Sequence, residues 1–172
     1  MTVPARLRIG ALEAHRITHG DAEFISDLMS LPEMRAHRPD PSAPSKDQLD
    51  DSLAKDLDHW AHHGIGRYVV CHEAKPVGLC GLTRRPGYPG WNLSYHLHPE
   101  HWGKGWAGLM ARAMVALAET HTKEAYLHGL VRPANPASAR VLEKACFTEA
   151  GTVALGGAES RLWIRALGTA RT

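Results

Sequence analysis

The segment Trp91–Gly108 limits what this chain can fold into more than any other stretch. Trp91, Leu93, Tyr95 and Leu97 alternate with Asn92, Ser94, His96 and His98, the two-residue period of a strand that buries one face. The connection His98-Pro99-Glu100-His101 leads into Trp102-Gly103-Lys104-Gly105-Trp106-Ala107-Gly108. Beyond it Leu109, Met110, Ala113, Met114 and Leu117 recur at helical spacing, which predicts a helix over Trp106–Glu119. Strand, glycine turn and helix in that order require a layered architecture, an α/β or α+β sheet with helices packed on it. The turn also carries chemistry. Glycines let the backbone turn tightly and leave N–H groups bare, and the helix N-terminus adds partial positive charge. Together they form a cradle for a phosphate that needs no side chain.

Gly103, Gly105 and Gly108 spell GxGxxG, so a dinucleotide-binding fold with a nicotinamide cofactor is a rival reading. The motif sits in mid-chain rather than after an N-terminal first strand, and a linker separates it from the strand. The position about twenty residues on, where an acid would hold the ribose, is His128. A glycine-rich connection with no ligand is the plainer alternative. A second signal narrows the choice: Asn135-Pro136-Ala137-Ser138, running on to Glu143-Lys144-Ala145-Cys146-Phe147. Asn135 closes a strand and opens a helix, where its side chain can cap the helix or grip a ligand at the sheet edge. Ser138 lies one turn on.

Six further strands read as Glu13–Ile17, Arg67–His72, Pro76–Thr83, Ala125–Val131, Thr148–Leu155 and Arg161–Leu167, making about seven with Trp91–His98. Helices read as Ala22–Met29, Asp47–His63 and Pro136–Ala145, the second capped by Ser45 and stopped by Gly64. Leu31–Ser45 carries Pro32, Pro39, Pro41 and Pro44 and reads as an irregular loop, a kind of segment that is often functional. At 172 residues the chain fits one domain over 1–172. Cys71, Cys80 and Cys146 form no CxxC pair, which disfavours a disulfide framework or a Cys-rich zinc site and fits a reducing cytoplasm. A net charge of +2, without basic runs interleaved with aromatics, argues against nucleic acid and against an anionic membrane as partners. Met1–Gly10 lacks the apolar core of a signal peptide, and no apolar run is long enough to span a bilayer.

With both motifs in order, the chain resembles the GNAT N-acetyltransferase superfamily, in the branch typified by ribosomal-protein N-terminal alanine acetyltransferases. The resemblance runs from about Glu13 to Leu167. The family's Gln/Arg-x-x-Gly-x-Gly/Ala falls on Trp102-Gly103-Lys104-Gly105-Trp106-Ala107. The branch's Asn-x-x-Ser and Glu-Lys-x-Gly-Phe fall on Asn135, Ser138, Glu143, Lys144 and Phe147. The resemblance implies a central mixed, mostly antiparallel sheet with helices on both faces and a V-shaped splay between the fourth and fifth strands, Trp91–His98 and Ala125–Val131. It implies acetyl-CoA as co-substrate and no metal. The pantetheine arm would pair with backbone near Leu97 and His98, and the pyrophosphate would sit on the amides of Trp102, Gly103, Lys104, Gly105, Trp106 and Ala107. Asn135 would contact the pantetheine arm, and Ser138 would give a proton to the departing thiolate. Trp102 stands in place of the usual Gln or Arg and loses a polar side chain. Cys146 replaces the common Gly, and Asn92-Leu93-Ser94-Tyr95 replaces Glu-Ile-Gly-Tyr, so a carboxylate is missing.

The implied reaction is transfer of acetyl to a primary amine, of a protein N-terminus or a small molecule, by direct attack in a ternary complex. An alkyl ammonium with pKa near ~10 must first lose its proton. His96 ranks first as base, because an imidazole titrates near neutrality. Glu33 and Asp40, in the loop that borders the acceptor site in the family, are alternatives that would also attract a cationic amine; ordered water is another route. The pairs His59/His63 and His96/His98 have the spacing to ligate zinc but lack a nearby Cys or Glu to complete a set. Lys104 is the favoured side-chain partner for CoA phosphate. Homodimers are common among such enzymes, though nothing in the sequence marks a partner chain. The competing function from the same fold is a non-catalytic acyl-CoA-binding sensor, motivated by Asn92.

Overall fold

The computed structural model describes residues 2–168, so residue 1 and residues 169–172 of the expected domain lie outside the described part. Strands β1 (Arg6–Ile9) and β2 (Leu12–Arg16) precede the helices α1 (Ala22–Ser30), α2 (Pro32–Arg35) and α3 (Lys46–His63). Then come β3 (Arg67–His72), β4 (Lys75–Thr83), β5 (Trp91–Leu97), α4 (Trp106–His121), β6 (Tyr126–Val131), α5 (Pro136–Lys144), β7 (Thr148–Leu155) and β8 (Ala158–Ala166). The strands form one eight-stranded sheet in the order β1-β2-β3-β4-β5-β6-β8-β7. All neighbours are antiparallel except β5 and β6.

The eighth strand is β1. Its Arg-Leu-Arg-Ile alternation is only four residues long, and the two arginines blunt an exposed edge. The expected irregular loop also contains a helix, α2, which Pro32 opens at its first turn, where a missing N–H costs nothing.

Local chemistry explains the other boundaries. Ser45 caps α3 by accepting from the Gln48 N–H while the Gln48 side chain returns to the Ser45 N–H. Gly64 ends that helix in the left-handed region. Val77–Leu82 of β4 and Tyr68–Val70 of β3 are buried at successive residues, which shows that both faces of the central sheet are covered. On one side α4 packs on β4 and β5 through Met110, Ala111, Met114 and Ala118. Trp60 of α3 seats edge-on against Tyr68 with ring centroids 5.1 Å apart. Among the described residues no helix is long and apolar enough to cross a membrane.

The decisive feature is where β5 and β6 part. They pair only at Trp91↔Leu127 and Asn92↔His128, then diverge. Gly90, with φ of 72°, pins the closed end: a Cβ there would lie 2.0 Å from the Tyr126 carbonyl oxygen. The expected splay is therefore present, between the fifth and sixth strands once β1 is counted.

Candidate active site

A cavity of about 520 Å³ occupies the splay. Five successive residues of β5, Asn92 to His96, line it, together with Asn135 and Ser138 of the α5 start. Strand alternation predicts lining from one face only. Here the cavity passes between diverging strands, so residues of both faces reach it.

That difference brings in Tyr95, which the alternation assigns to the buried face with Leu93. Its hydroxyl donates to the Ser138 carbonyl oxygen at 3.0 Å and lies 2.8 Å from Ser138 Oγ. Burial pushes the phenol up to about 12, with the Ser138 hydrogen bond working the other way, so Tyr95 keeps its proton. Asn135 caps α5, its Oδ1 accepting from the Ser138 N–H at 3.2 Å. Cap and phenol together fix Ser138 at the cavity wall.

The backbone of β5 is divided between two sides. The His98 N–H donates to the Val77 carbonyl at 2.8 Å. In an antiparallel ladder alternate residues turn both polar groups to one neighbour. Ser94 and His96 therefore bond β4, and Leu93, Tyr95 and Leu97 turn theirs toward the splay. The Leu97 carbonyl already accepts from Trp102 Nε1 at 2.8 Å. Of the two positions expected to pair with a pantetheine arm, His98 points its N–H the wrong way and Leu97 keeps only its N–H free of that contact. The His98 side chain accepts from the Glu100 N–H and caps the turn Pro99–His101.

The glycine turn has the expected form. Gly103 and Gly105 take φ of 78° and 75°, and a Cβ at either would meet nothing within 4 Å. Gly105 is the N-cap of α4, no side chain caps that helix, and no acid lies in its first turn. Its first N–H groups are left for an anion, so the turn fits a pyrophosphate. Lys104 stands beside it, Nζ 4.9 Å from the Trp106 ring centre and 3.1 Å from His101 Nδ1. Trp106 is stacked on His101, and His72 lies tilted against it with ring centroids 4.8 Å apart. Trp102 is half exposed at 51%.

The proton-transfer candidates fare unequally. His96 lines the cavity, but it does not titrate near neutrality. Burial first, then Arg67, Arg38 and His37, push it down to about 3. Glu33 is exposed on α2 and does not line the cavity. Asp40 does, but its carboxylate accepts from the N–H and hydroxyl of Ser42, which hold it below the ordinary range. Asn92 is buried in the wall. Five arginines are there instead: Arg35, Arg38, Arg67, Arg85 and Arg132. They come from separated segments, and the only local signals were Arg35-Ala36-His37-Arg38 and the Arg84-Arg85 pair before β5.

His59 is occupied otherwise. Its Nδ1–H donates to the Ile65 carbonyl at 2.7 Å, and its Nε2 accepts from the Arg84 N–H at 2.8 Å. No group of three or more His, Cys, Asp or Glu side chains is placed to hold a metal among the described residues. Cys80 is sealed in the core, its thiol pushed up to about 12 by burial.

The geometry has relatives. An acetyltransferase from Agrobacterium tumefaciens str. C58 superposes with a TM-score of 0.81 at 22% identity, covering 96% of this chain and 95% of that one. The ribosomal alpha-N-protein acetyltransferase RimL, solved with coenzyme A, gives 0.78 at 14% identity over 97% and 98% of the two chains. Spermidine N-acetyltransferase from Vibrio cholerae, in complex with CoA and spermine, gives 0.73 at 20% identity over 92% and 97%. At such identities the likeness is one of fold. No curated protein matches the sequence. The acetyltransferase (GNAT) domain, by contrast, matches residues 12–148. That span holds the splay, the glycine turn and Ser138, and the chain belongs to the GNAT acetyltransferase family.

Proposed function

We propose that this protein transfers the acetyl group of acetyl-CoA to a primary amine by direct attack in a ternary complex, as a cytoplasmic enzyme of the branch typified by ribosomal-protein N-terminal acetyltransferases. The observation that carries this reading is the parting of β5 and β6 beside an uncapped α4, with Ser138 held at the opening. CoA-bound relatives of the same fold support it.

Acetyl-CoA supplies the activated acyl thioester. The amides from Gly103 through Ala107 hold its pyrophosphate, with Lys104 adding charge; the expected Trp102 amide is spent on the Pro99 carbonyl at 3.1 Å. Tyr95 and Leu97 offer the splay-facing backbone, and Asn135 borders the pantetheine path. Ser138 acts on the leaving sulfur. When Tyr95 donates to Ser138 Oγ, the serine proton is free to turn into the cavity; when Tyr95 donates to the carbonyl, that proton turns back to the phenol. The phenol thereby sets the direction of the serine donor.

The amine must arrive neutral. His96, neutral at physiological pH, can take a hydrogen bond from the incoming amine but is too weak a base to hold the proton of an ammonium. The proton therefore leaves through water. The arginine wall assists by disfavouring a second cation beside it.

Titration calorimetry with acetyl-CoA, with NAD as control, tests the reading, followed by thiol release with amines. Heat with acetyl-CoA alone and thiol release support it. Binding without turnover on any amine would favour an acyl-CoA-binding sensor, the reading that Asn92 motivates. No heat with acetyl-CoA refutes both.

A further inference from the structure

The cavity holds a charge imbalance that acetyl transfer alone does not require. Five guanidiniums face it, from Arg35, Arg38, Arg67, Arg85 and Arg132, against the single carboxylate of Asp40, a local net of plus four. The whole chain carries only +2, so the rest of the molecule is net negative. Among the described residues Arg67 alone of the five has a carboxylate partner, Asp56 at 3.5 Å. Arg35 is only 9% exposed, and its Nε is buried without a hydrogen-bond partner, as is that of Arg67. Arg132 spends Nη1 on the carbonyls of Ala158 and Glu159, at 3.0 and 3.2 Å, and on no acid. Burial first, and then the neighbouring arginines, push Arg38 and His37 below their ordinary values.

Gathering like charges around a cavity costs free energy, and buried charges are ordinarily paired. The counter-charge belongs in the space they face. The glycine turn that fits the CoA pyrophosphate is not part of this lining. The volume of about 520 Å³ is shared with the thioester end of acetyl-CoA beside Asn135 and Ser138, and what it leaves suits a small acceptor.

We propose that the acceptor is a small amine that also carries a carboxylate or a phosphate, seated on this arginine wall; the inference rests on the acetyltransferase reading above. Guanidinium suits either anion through paired N–H donors. The wall repels polycations, in contrast with the spermine found on the Vibrio cholerae relative. Glu33 and Asp40, expected to draw in a cationic amine, are respectively outside the cavity and outnumbered within it.

Matched acceptors test this: lysine against cadaverine, which lacks only the carboxylate, and phosphoethanolamine against ethanolamine. The anionic member of a pair should be turned over with kcat/KM about tenfold higher or more, from one or two charge-assisted contacts. A lysine advantage alone assigns a carboxylate, and a phosphoethanolamine advantage alone a phosphate. Inorganic phosphate and spermine are also titrated into CoA-saturated protein. Phosphate should bind and spermine should not, and Arg38→Gln or Arg85→Gln should weaken phosphate about tenfold while acetyl-CoA affinity holds. Each variant removes one of several repelling charges, so an unchanged or higher Tm marks it as folded. Preference for the cationic member, exclusion of phosphate by CoA, or phosphate binding indifferent to both variants overturns the proposal. A protein that binds phosphate at this wall but gives no heat with acetyl-CoA keeps the anion site and fails as an acetyltransferase.

Discussion

The Tyr95–Ser138 contact makes the sharpest prediction. Tyr95→Phe deletes one oxygen and leaves the ring in its packing. It removes the 3.0 Å bond to the Ser138 carbonyl and the 2.8 Å contact to Oγ. At about 1 kcal/mol for each neutral hydrogen bond, the stability loss is about 1–2 kcal/mol. The catalytic loss comes through Ser138, whose hydroxyl loses the partner that sets its direction. A positioned proton donor contributes roughly 10²- to 10⁴-fold, so Ser138→Ala should cost that much in kcat. Tyr95→Phe should cost about 10- to 100-fold, or roughly 1.4–2.7 kcal/mol, with the KM for acetyl-CoA little changed. Because the phenol acts through the serine, the double variant should be no slower than Ser138→Ala alone. The coupling energy then equals the whole Tyr95→Phe effect. Steady-state thiol release on all four proteins, with urea melts to confirm folding, completes the cycle. Multiplying effects would show that the two side chains act separately. A Ser138→Ala variant with unchanged kcat would remove both from the reaction.

Three further outcomes follow from the backbone and from burial. Cys146 sits at φ of 63° where the family motif carries glycine, a conformation that costs a non-glycine residue about 1–2 kcal/mol. After the extra chain entropy of glycine, Cys146→Gly should stabilise by about 0.5–1 kcal/mol in urea melts. Gly105→Ala at the α4 N-cap meets the same penalty without a clash, so stability should fall by about 1 kcal/mol and acetyl-CoA binding by calorimetry should weaken, with β5 intact. His96 is neutral when folded, its pKa lowered to about 3, whereas the unfolded chain protonates it near 6.5. Its contribution is complete above pH 6.5 and is lost as pH falls toward 3. His96→Gln should therefore remove up to ~1.4 kcal/mol per pH unit from the acid slope of stability between pH 6 and 4.

What the sequence made legible was what one local segment determines. The period of Trp91–Leu97, the cap at Ser45 and the glycine turn before α4 each need only neighbours in the chain, and each stands where the pattern put it. β1 escaped because four residues carry too little alternation to distinguish a strand from a tail. The arginine wall escaped for a different reason. Arg35 and Arg38 come from α2 and the residues after it, Arg67 from β3, Arg85 from the turn before β5 and Arg132 from the end of β6. No window of sequence contains all five together, and only the tertiary fold brings them to one cavity. The titration of His96 belongs to the same class, since burial in the folded cavity sets it first and charges of other elements add to it.

Trp102 shows how a substitution read from a motif can mislead. Against the family's Gln or Arg it looks like the loss of a polar group. In the fold its indole N–H donates to the Leu97 carbonyl and ties the glycine turn to the end of β5. That carbonyl faces the splay, where β6 has left it without a ladder partner. A buried carbonyl is costly to leave unmade, so the indole supplies the bond that a strand would have made and sets the turn at a fixed distance from Tyr95. The polar function therefore persists, moved from a flexible side chain that could reach toward a ligand to a rigid ring turned toward the sheet. On the proposed function, an anion at this turn would be held by the backbone amides, with Lys104 as the side chain beside them.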